Sequence, residues 1–222
     1  MLKNIKLNLI PLSLMLVIPL INIMYGKLNN AINGCYSLAT TLDKNVPFIK
    51  EFIIPYWMWY PFLISVLIHF CFVCRNIYYK TMITILLGMI SCYITYFFFQ
   101  TTVTRPFLQG NDIFIHIVRL TYKLDKPFNC FPSIHVLTSY AVMRASIEAI
   151  EKKSNKYIIN IIGAVIILST QFVKQHVILD LIFAIILAEV IYRFAAAFIL
   201  ERGAIWKKKL YWWLTMKKKL EI

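Results

Sequence analysis

Two histidines sit in short polar signatures at the edges of hydrophobic runs: Phe131-Pro132-Ser133-Ile134-His135, and the stretch from Ser169 through Lys174-Gln175-His176 to Asp180. An imidazole exchanges protons near neutral pH and can attack phosphorus, so two of them beside a serine, a lysine and an aspartate suit phosphoryl chemistry. Proline is favoured at the first position of a helix, and the N–H groups that follow it are unpaired, with the positive end of the helix dipole behind them. A helix beginning at Pro132 would therefore receive a phosphate, with Ser133 adding a hydroxyl and His135 placed to protonate a leaving oxygen. Four residues apart on one helical face, His176 and Asp180 would pair, the carboxylate orienting one ring nitrogen and leaving the other as a nucleophile. Chance alone gives a Pro-Ser-x-His about 0.03 times in such a chain but His-x3-Asp roughly 0.5 times. The second pair thus draws its weight from context: an aspartate in an apolar run needs a partner, and His176 is the natural one.

Arg105-Pro106 is a third element, because phosphoryl transfer needs cations on the equatorial oxygens and a planar guanidinium suits that task. A pair of b-haem ligands would account for His135 and His176 but leave Pro132, Ser133, Lys174 and Asp180 without purpose.

These residues have to be positioned by a membrane protein. The 222-residue chain is 60% hydrophobic, with a mean hydropathy of +0.69. Five apolar stretches (Leu7 to Tyr25, Tyr56 to Cys74, Thr81 to Phe99, Tyr157 to Phe172 and Val177 to Leu200) each approach the ~20 residues of a spanning helix. A sixth, Pro132 to Ile150, is more polar and suits the shielded interior of a bundle. The run from Tyr157 to Leu200 is too long for one span, so it turns at its only polar break, Ser169 to Gln175. The first stretch has no small-residue cleavage site behind it and is expected to stay as a helix.

The expected fold is an all-α bundle of six transmembrane helices, a single domain over residues 1–222. Net charge is +14, and its distribution points to a membrane and not to nucleic acid. With a cytoplasmic N-terminus the inner segments hold 16 of the 24 lysines and arginines, which places both termini inside and both histidine signatures outside. Residues 26–55 and 101–131 become outer loops. Within the second, Asn111 and Asp112 could cap a short helix showing Ile113, His116, Ile117 and Leu120 on one side. Tyr56-Trp57-Met58-Trp59-Tyr60 reads as an interfacial aromatic belt, and residues 201–222, with Lys triplets among Tyr211, Trp212 and Trp213, as an interfacial anchor. The five cysteines show no metal spacing beyond Cys71 and Cys74, which read as packing; Cys35 and Cys130 both fall outside, where a disulfide is open to them. His69 and His116 read as structural, and Glu189 as the partner of Arg193.

Taken together, the signatures resemble the type 2 phosphatidic acid phosphatase (PAP2) superfamily of metal-independent membrane lipid phosphatases and phosphotransferases. Its blocks are Lys-x6-Arg-Pro, Pro-Ser-x-His and Ser-Arg-x5-His-x3-Asp. Arg105-Pro106, Pro132-Ser133-Ile134-His135, and Ser169, His176 and Asp180 fit them in order, over residues 98–180. Phe98 stands at the first-block Lys and Thr170 at the third-block Arg; Lys174 could replace the latter cation if residues 170–174 are helical. Lys-Gln-His, with Asp43, Pro47-Phe48, Tyr56 and Trp59-Tyr60-Pro61, looks like the branch containing bacterial inositol phosphorylceramide synthase-like proteins. The resemblance implies cleavage of a lipid phosphate or diphosphate at the extracytoplasmic face of the cell membrane. His176 would form a phosphohistidine, oriented by Asp180, and His135 would serve as acid. Arg105, Ser133, Lys174, Ser169 and Thr170 would hold phosphate, without metal or cofactor. Water or an alcohol would accept the phosphoryl group, and a catalytically inactive lipid-binding relative is the other outcome left open by Phe98 and Thr170.

Overall fold

The computed structural model describes residues 2–31 and 34–198. The basic aromatic tail expected over residues 201–222 lies outside them. The described chain is a helical bundle. Helix α1 (Leu2–Ser13) runs through a tight turn at Leu14–Leu16 into α2 (Val17–Leu28), and the two form one long apolar rod. An outer loop follows, carrying β1 (Tyr36–Ser37) and the short helix α3 (Thr41–Asn45). Next come α4 (Ile53–Trp57), α5 (Trp59–Val73), α6 (Arg75–Phe98) and β2 (Thr101–Thr102), which pairs in parallel with β1. Helix α7 (Ile113–Leu124) precedes α8 (Ile134–Ala149), α9 (Lys153–Phe172) and α10 (Ile178–Phe198).

Among the described residues five helices are long and apolar enough to cross a membrane: Asn8–Leu28, Lys50–Val73, Arg75–Phe98, Lys153–Phe172 and Ile178–Phe198. The sixth expected span, α8, is a helix of 16 residues. At 1.5 Å per residue it is about 24 Å long, short of the ~30 Å hydrocarbon core. Its low hydropathy has a packing cause: α8 runs through the middle of the bundle, and a larger share of it is buried against protein than of the five apolar helices. Val136, Leu137, Ala141, Val142 and Ala145 are fully buried against α5, α6 and α9. Small residues let those helices approach closely. Gly88 of α6 faces Leu137 so tightly that a Cβ there would lie 2.6 Å from a leucine methyl.

The turn expected near Ser169 to Gln175 is present, between α9 and α10. Residues 170–174 are not one helix, because α9 ends at Phe172 and Lys174 takes a left-handed conformation with φ 52°. Pro132 is not the first helical residue either. Ser133 is the N-cap of α8, its Oγ accepting from Val136 N–H, and Pro132 precedes it. A serine cap satisfies an orphan N–H that proline at that position could not. Asp112 caps α7 as expected, accepting from Phe114 and Ile115 N–H. Its buried face is however Ile115, Val118 and Thr121, because Trp57 Nε1–H donates to Thr121 and draws that side inward; Ile113 and Leu120 are exposed.

At the end of the bundle away from the histidines, Glu189 accepts from Arg193 as expected and also pairs with Arg144 at 3.2 Å. Arg144 and Lys80 both reach Glu148, at 2.9 and 2.7 Å. Cys71 lies in the core, His69 and His116 are exposed, and Cys35 and Cys130 are free thiols.

Candidate active site

The α9–α10 turn and the start of α8 meet at one end of the bundle, where Ser133 N–H donates to the carbonyl of Asp180 at 3.3 Å. The turn is set by Thr170, whose carbonyl accepts from both Gln175 and His176 N–H. His176 thus stands in the turn, two residues before α10, and not on a shared helical face with Asp180. The pair forms because the turn folds back: Asp180 Oδ2 lies 3.2 Å from His176 Nδ1 and also accepts from Val177 N–H at 2.9 Å. A carboxylate can only accept, so Nδ1 carries the proton, and in the neutral ring Nε2 then has the lone pair. Asp180 is fully buried, and its Oδ1 has no partner among the described residues.

His135 faces His176 with ring centroids 6.3 Å apart. It is clamped by Tyr56, stacked at 4.6 Å, and Trp59, at 4.2 Å, while Trp59 Nε1–H donates to Thr138 Oγ1 one turn along α8. Tyr56 and Trp59 are buried; the belt expected of this cluster is confined to the exposed Trp57, Met58 and Tyr60. Their stacking role was not legible because a Tyr-x-x-Trp at the start of a span has the same composition whether it turns to lipid or inward.

Two cavities flank His176. One, of about 320 Å³, is lined by Tyr25, Tyr56, Trp59, Tyr96, Asp125 and His135 among others. The other, of about 360 Å³, is lined by Asp43, Lys44, Arg105, Gln171, Lys174 and Val177. Every lysine and arginine lining the pair belongs to the second. Arg105 donates to the carbonyls of Tyr122 (3.1 Å) and Asp125 (2.8 Å) and to Gln175 Oε1 (2.5 Å), lies over the Tyr122 ring, and keeps a buried Nε–H without a partner among the described residues. Lys174 donates to the carbonyls of Asp43 and Val46, which leaves one of its three ammonium protons without a partner among the described residues. Burial pulls the pKa of Lys174 down, against the opposing charge of Asp43. Asp43 accepts from Thr40 and from Ile178 N–H; burial works against its charge, but these bonds and Lys174 outweigh it and hold its pKa below the usual carboxylate value. On the aromatic side Asp125 accepts from Tyr25 O–H and Asn29, and burial raises its pKa.

The structure therefore brings together His135, His176, Asp180, Arg105 and Lys174. Ser133 is buried beside them as a cap, its hydroxyl proton without a partner among the described residues. Ser169 and Thr170 are buried in α9, and their hydroxyls donate to the carbonyls of Ile166 and Ile167. Phe98 is largely exposed, away from both cavities. Lys44, Asp125 and Tyr25 carry no signature in the sequence and join the site only through the tertiary fold. Lys44 does sit beside Asp43, in the polar stretch Thr40 to Asn45 of the first outer loop.

Fold and site together define an α-helical membrane protein carrying a buried His–Asp pair opposite a second histidine. The chain belongs to the PAP2 superfamily, whose family model matches residues 77–204, from the start of α6 through α10. Members of that superfamily are phosphatases and phosphotransferases, and the chain is an enzyme of this kind by family. No curated protein and no solved structure matches it. The clamp on His135 and the Asp43 loop lie before the matched region.

Proposed function

We propose that the protein is a membrane lipid phosphatase that cleaves a lipid phosphate or diphosphate through a phosphohistidine. The observation that carries the proposal is the facing pair of imidazoles 6.3 Å apart, one with its Nδ1 on a buried carboxylate. His176 Nε2 attacks phosphorus and the bond to the leaving oxygen breaks, while His135 gives that oxygen a proton. His135 then takes a proton from water, whose oxygen displaces the histidine and frees phosphate. Phosphate lies on the cationic side, held by Arg105 and Lys174 with Lys44 near, and the Ser133 hydroxyl is available to it. The leaving group lies on the aromatic side, where the carboxyl of Asp125 favours the uncharged alcohol of a lipid monophosphate over the anionic leaving group of a diphosphate. No step calls for a metal or cofactor.

The lipid reading is supported by a third, almost wholly apolar groove of about 420 Å³ between α2 and α6, lined by Ile21, Met24, Ile90, Phe97 and Phe98, which suits an acyl chain. In this reading α8 completes a six-helix plan, the termini are cytoplasmic and the site faces outward, as the charge distribution favours. The aromatic cavity also has room for an alcohol in place of water, which favours phosphotransfer of the inositol phosphorylceramide synthase type as the second reading.

The test is phosphate release and trapping of labelled enzyme with phosphatidate, phosphatidylglycerophosphate and polyprenyl diphosphate, without divalent metal. Wild type should release phosphate, and His176→Ala should neither label nor turn over while still inserting. Undiminished turnover in that variant would overturn the mechanism.

A further inference from the structure

Beside the His–Asp pair lies a thiol. Cys130, two residues before Pro132, is 4% exposed, and its sulfur, a nitrogen of His176 and an oxygen of Asp180 lie within 4.8 Å of one another. All three residues are buried, and they come from two separate parts of the chain, the loop before α8 and the α9–α10 turn. Cys130 packs with Val103 and Val177, both of which line the cationic cavity, so that cavity is the way in. The carboxylate oxygen Asp180 Oδ1 is buried without a partner among the described residues. An unpaired buried carboxylate oxygen beside a thiol and an imidazole is an incomplete coordination shell.

We infer that Cys130, His176 and Asp180 form a binding site for a soft divalent cation of the zinc type, which inhibits the enzyme by occupying its nucleophile. Thiolate, imidazole and carboxylate are the ligand set that zinc takes in three-ligand sites, whereas magnesium and calcium take oxygen ligands. Tetrahedral zinc, with bonds of about 2.0–2.3 Å, needs its ligand atoms roughly 3.5 Å apart, so the cluster must contract by about an ångström. The fourth position is left to water from the cationic cavity. On binding, the Cys130 thiol releases its proton to solvent, a proton on the coordinating nitrogen of His176 moves to the other ring nitrogen and so removes the lone pair needed for attack, and no electron is transferred. With a His176 nitrogen and Asp180 both committed to the metal, the orienting bond between them is lost and the imidazole cannot attack phosphorus. The cation site stands by itself; the inhibition rests on the function proposed above.

The experiment titrates purified full-length protein with cobalt(II), reading the near-ultraviolet band of a cobalt–thiolate bond, then displaces the cobalt with zinc. The same samples are assayed for phosphate release with and without zinc. Wild type should show the band and lose it to zinc, and Cys130→Ser should show none. Changes beyond the ligand shell already cost about 10–100-fold in metal affinity, so loss of a ligand should weaken zinc binding about 100-fold or more. Cys130→Ser should turn over as wild type does but resist zinc. Cys130→Ala, with a melting curve, is the second variant should serine fail to fold. No band in wild type, or a band that persists in both Cys130 variants, overturns the site. A band with zinc-insensitive turnover overturns the inhibition alone. Absence of phosphate release from any wild-type sample would count against the proposed function, while the cobalt titration still decides the site.

Discussion

Replacing Asp180 by asparagine separates the charge of this residue from its shape. The two bonds made by Asp180 converge on one atom: Oδ2 accepts from His176 Nδ1–H and from Val177 N–H, while Oδ1 has no partner among the described residues. An asparagine with its carbonyl in the Oδ2 position keeps both bonds and places its amide where the unpaired oxygen was. The tautomer of His176 is then preserved, and what disappears is the negative charge facing the imidazolium-like nitrogen that forms when phosphorus is attacked. Unit charges about 4 Å apart at an effective dielectric of 20 interact by about 4 kcal/mol, roughly a thousandfold in rate. Asp180→Ala removes the charge, both bonds and the orientation of the ring; by analogy with removal of the aspartate from a Ser-His-Asp triad, the loss should be about ten-thousandfold or more. The assay is initial phosphate release in mixed micelles, with melting temperature to confirm folding. The expected order is wild type, then Asp180→Asn, then Asp180→Ala. An asparagine variant within a few-fold of wild type would refute the reasoning, since the carboxylate would then serve only the turn. Equal loss in both variants would refute the claim that asparagine preserves the tautomer.

His135→Ala should slow release from lipid phosphates by about 10²–10⁴ but have a much smaller effect on an activated aryl phosphate, whose leaving group needs no proton; equal losses on both substrates would count against the acid role. Arg105→Lys puts one nitrogen where the guanidinium's two terminal nitrogens serve Tyr122, Asp125 and Gln175, leaving at least one of these acceptors unmatched, which should lower stability by about 1–3 kcal/mol and raise KM, read by thermal melting and by kinetics. Asp43 has a lowered pKa, so its stabilising contribution is full above the unfolded carboxylate range near ~4 and is lost as pH falls through the lowered value. Asp125, with a raised pKa, has the opposite sign: its folded state favours the protonated form, and stability declines as pH rises through that value. Asp125→Asn should therefore raise the melting temperature at neutral pH and not at low pH, whereas Asp43→Asn should lower it at neutral pH; an unchanged or reversed pH trend would refute these assignments.

The sequence shows the turn between α9 and α10, the cap at Asp112 and the partnership of Glu189 with Arg193, because each depends on residues a few positions apart. Local spacing also brings His176 to Asp180, although a folded-back turn makes the contact that a helix was expected to make. What escaped it depends on distant packing. Whether α8 crosses or threads the bundle is decided by the neighbours that replace lipid around Ala141 and Ala145. The inward face of α7 follows Trp57, and the cation of Lys174 is turned toward the first outer loop by a left-handed backbone no heptad or hydropathy count contains. The pairing of Tyr56 and Trp59 with His135 joins residues almost eighty positions apart.

The clasp between that loop and the last hairpin has a bearing on how the chain is assembled. Asp43 caps Ile178, while Lys174 in return holds the backbone of Asp43 and Val46, so each end of the clasp is finished by the other. During synthesis the loop is made early and waits across six further helices, α4 to α9, before its partner exists. His176, the proposed nucleophile, lies between Lys174 and Ile178, so it reaches this position only when insertion of the whole bundle is complete. A partly inserted chain would carry both histidines and yet have no formed site, so under the proposed function an unfinished enzyme is kept from acting on the lipids around it.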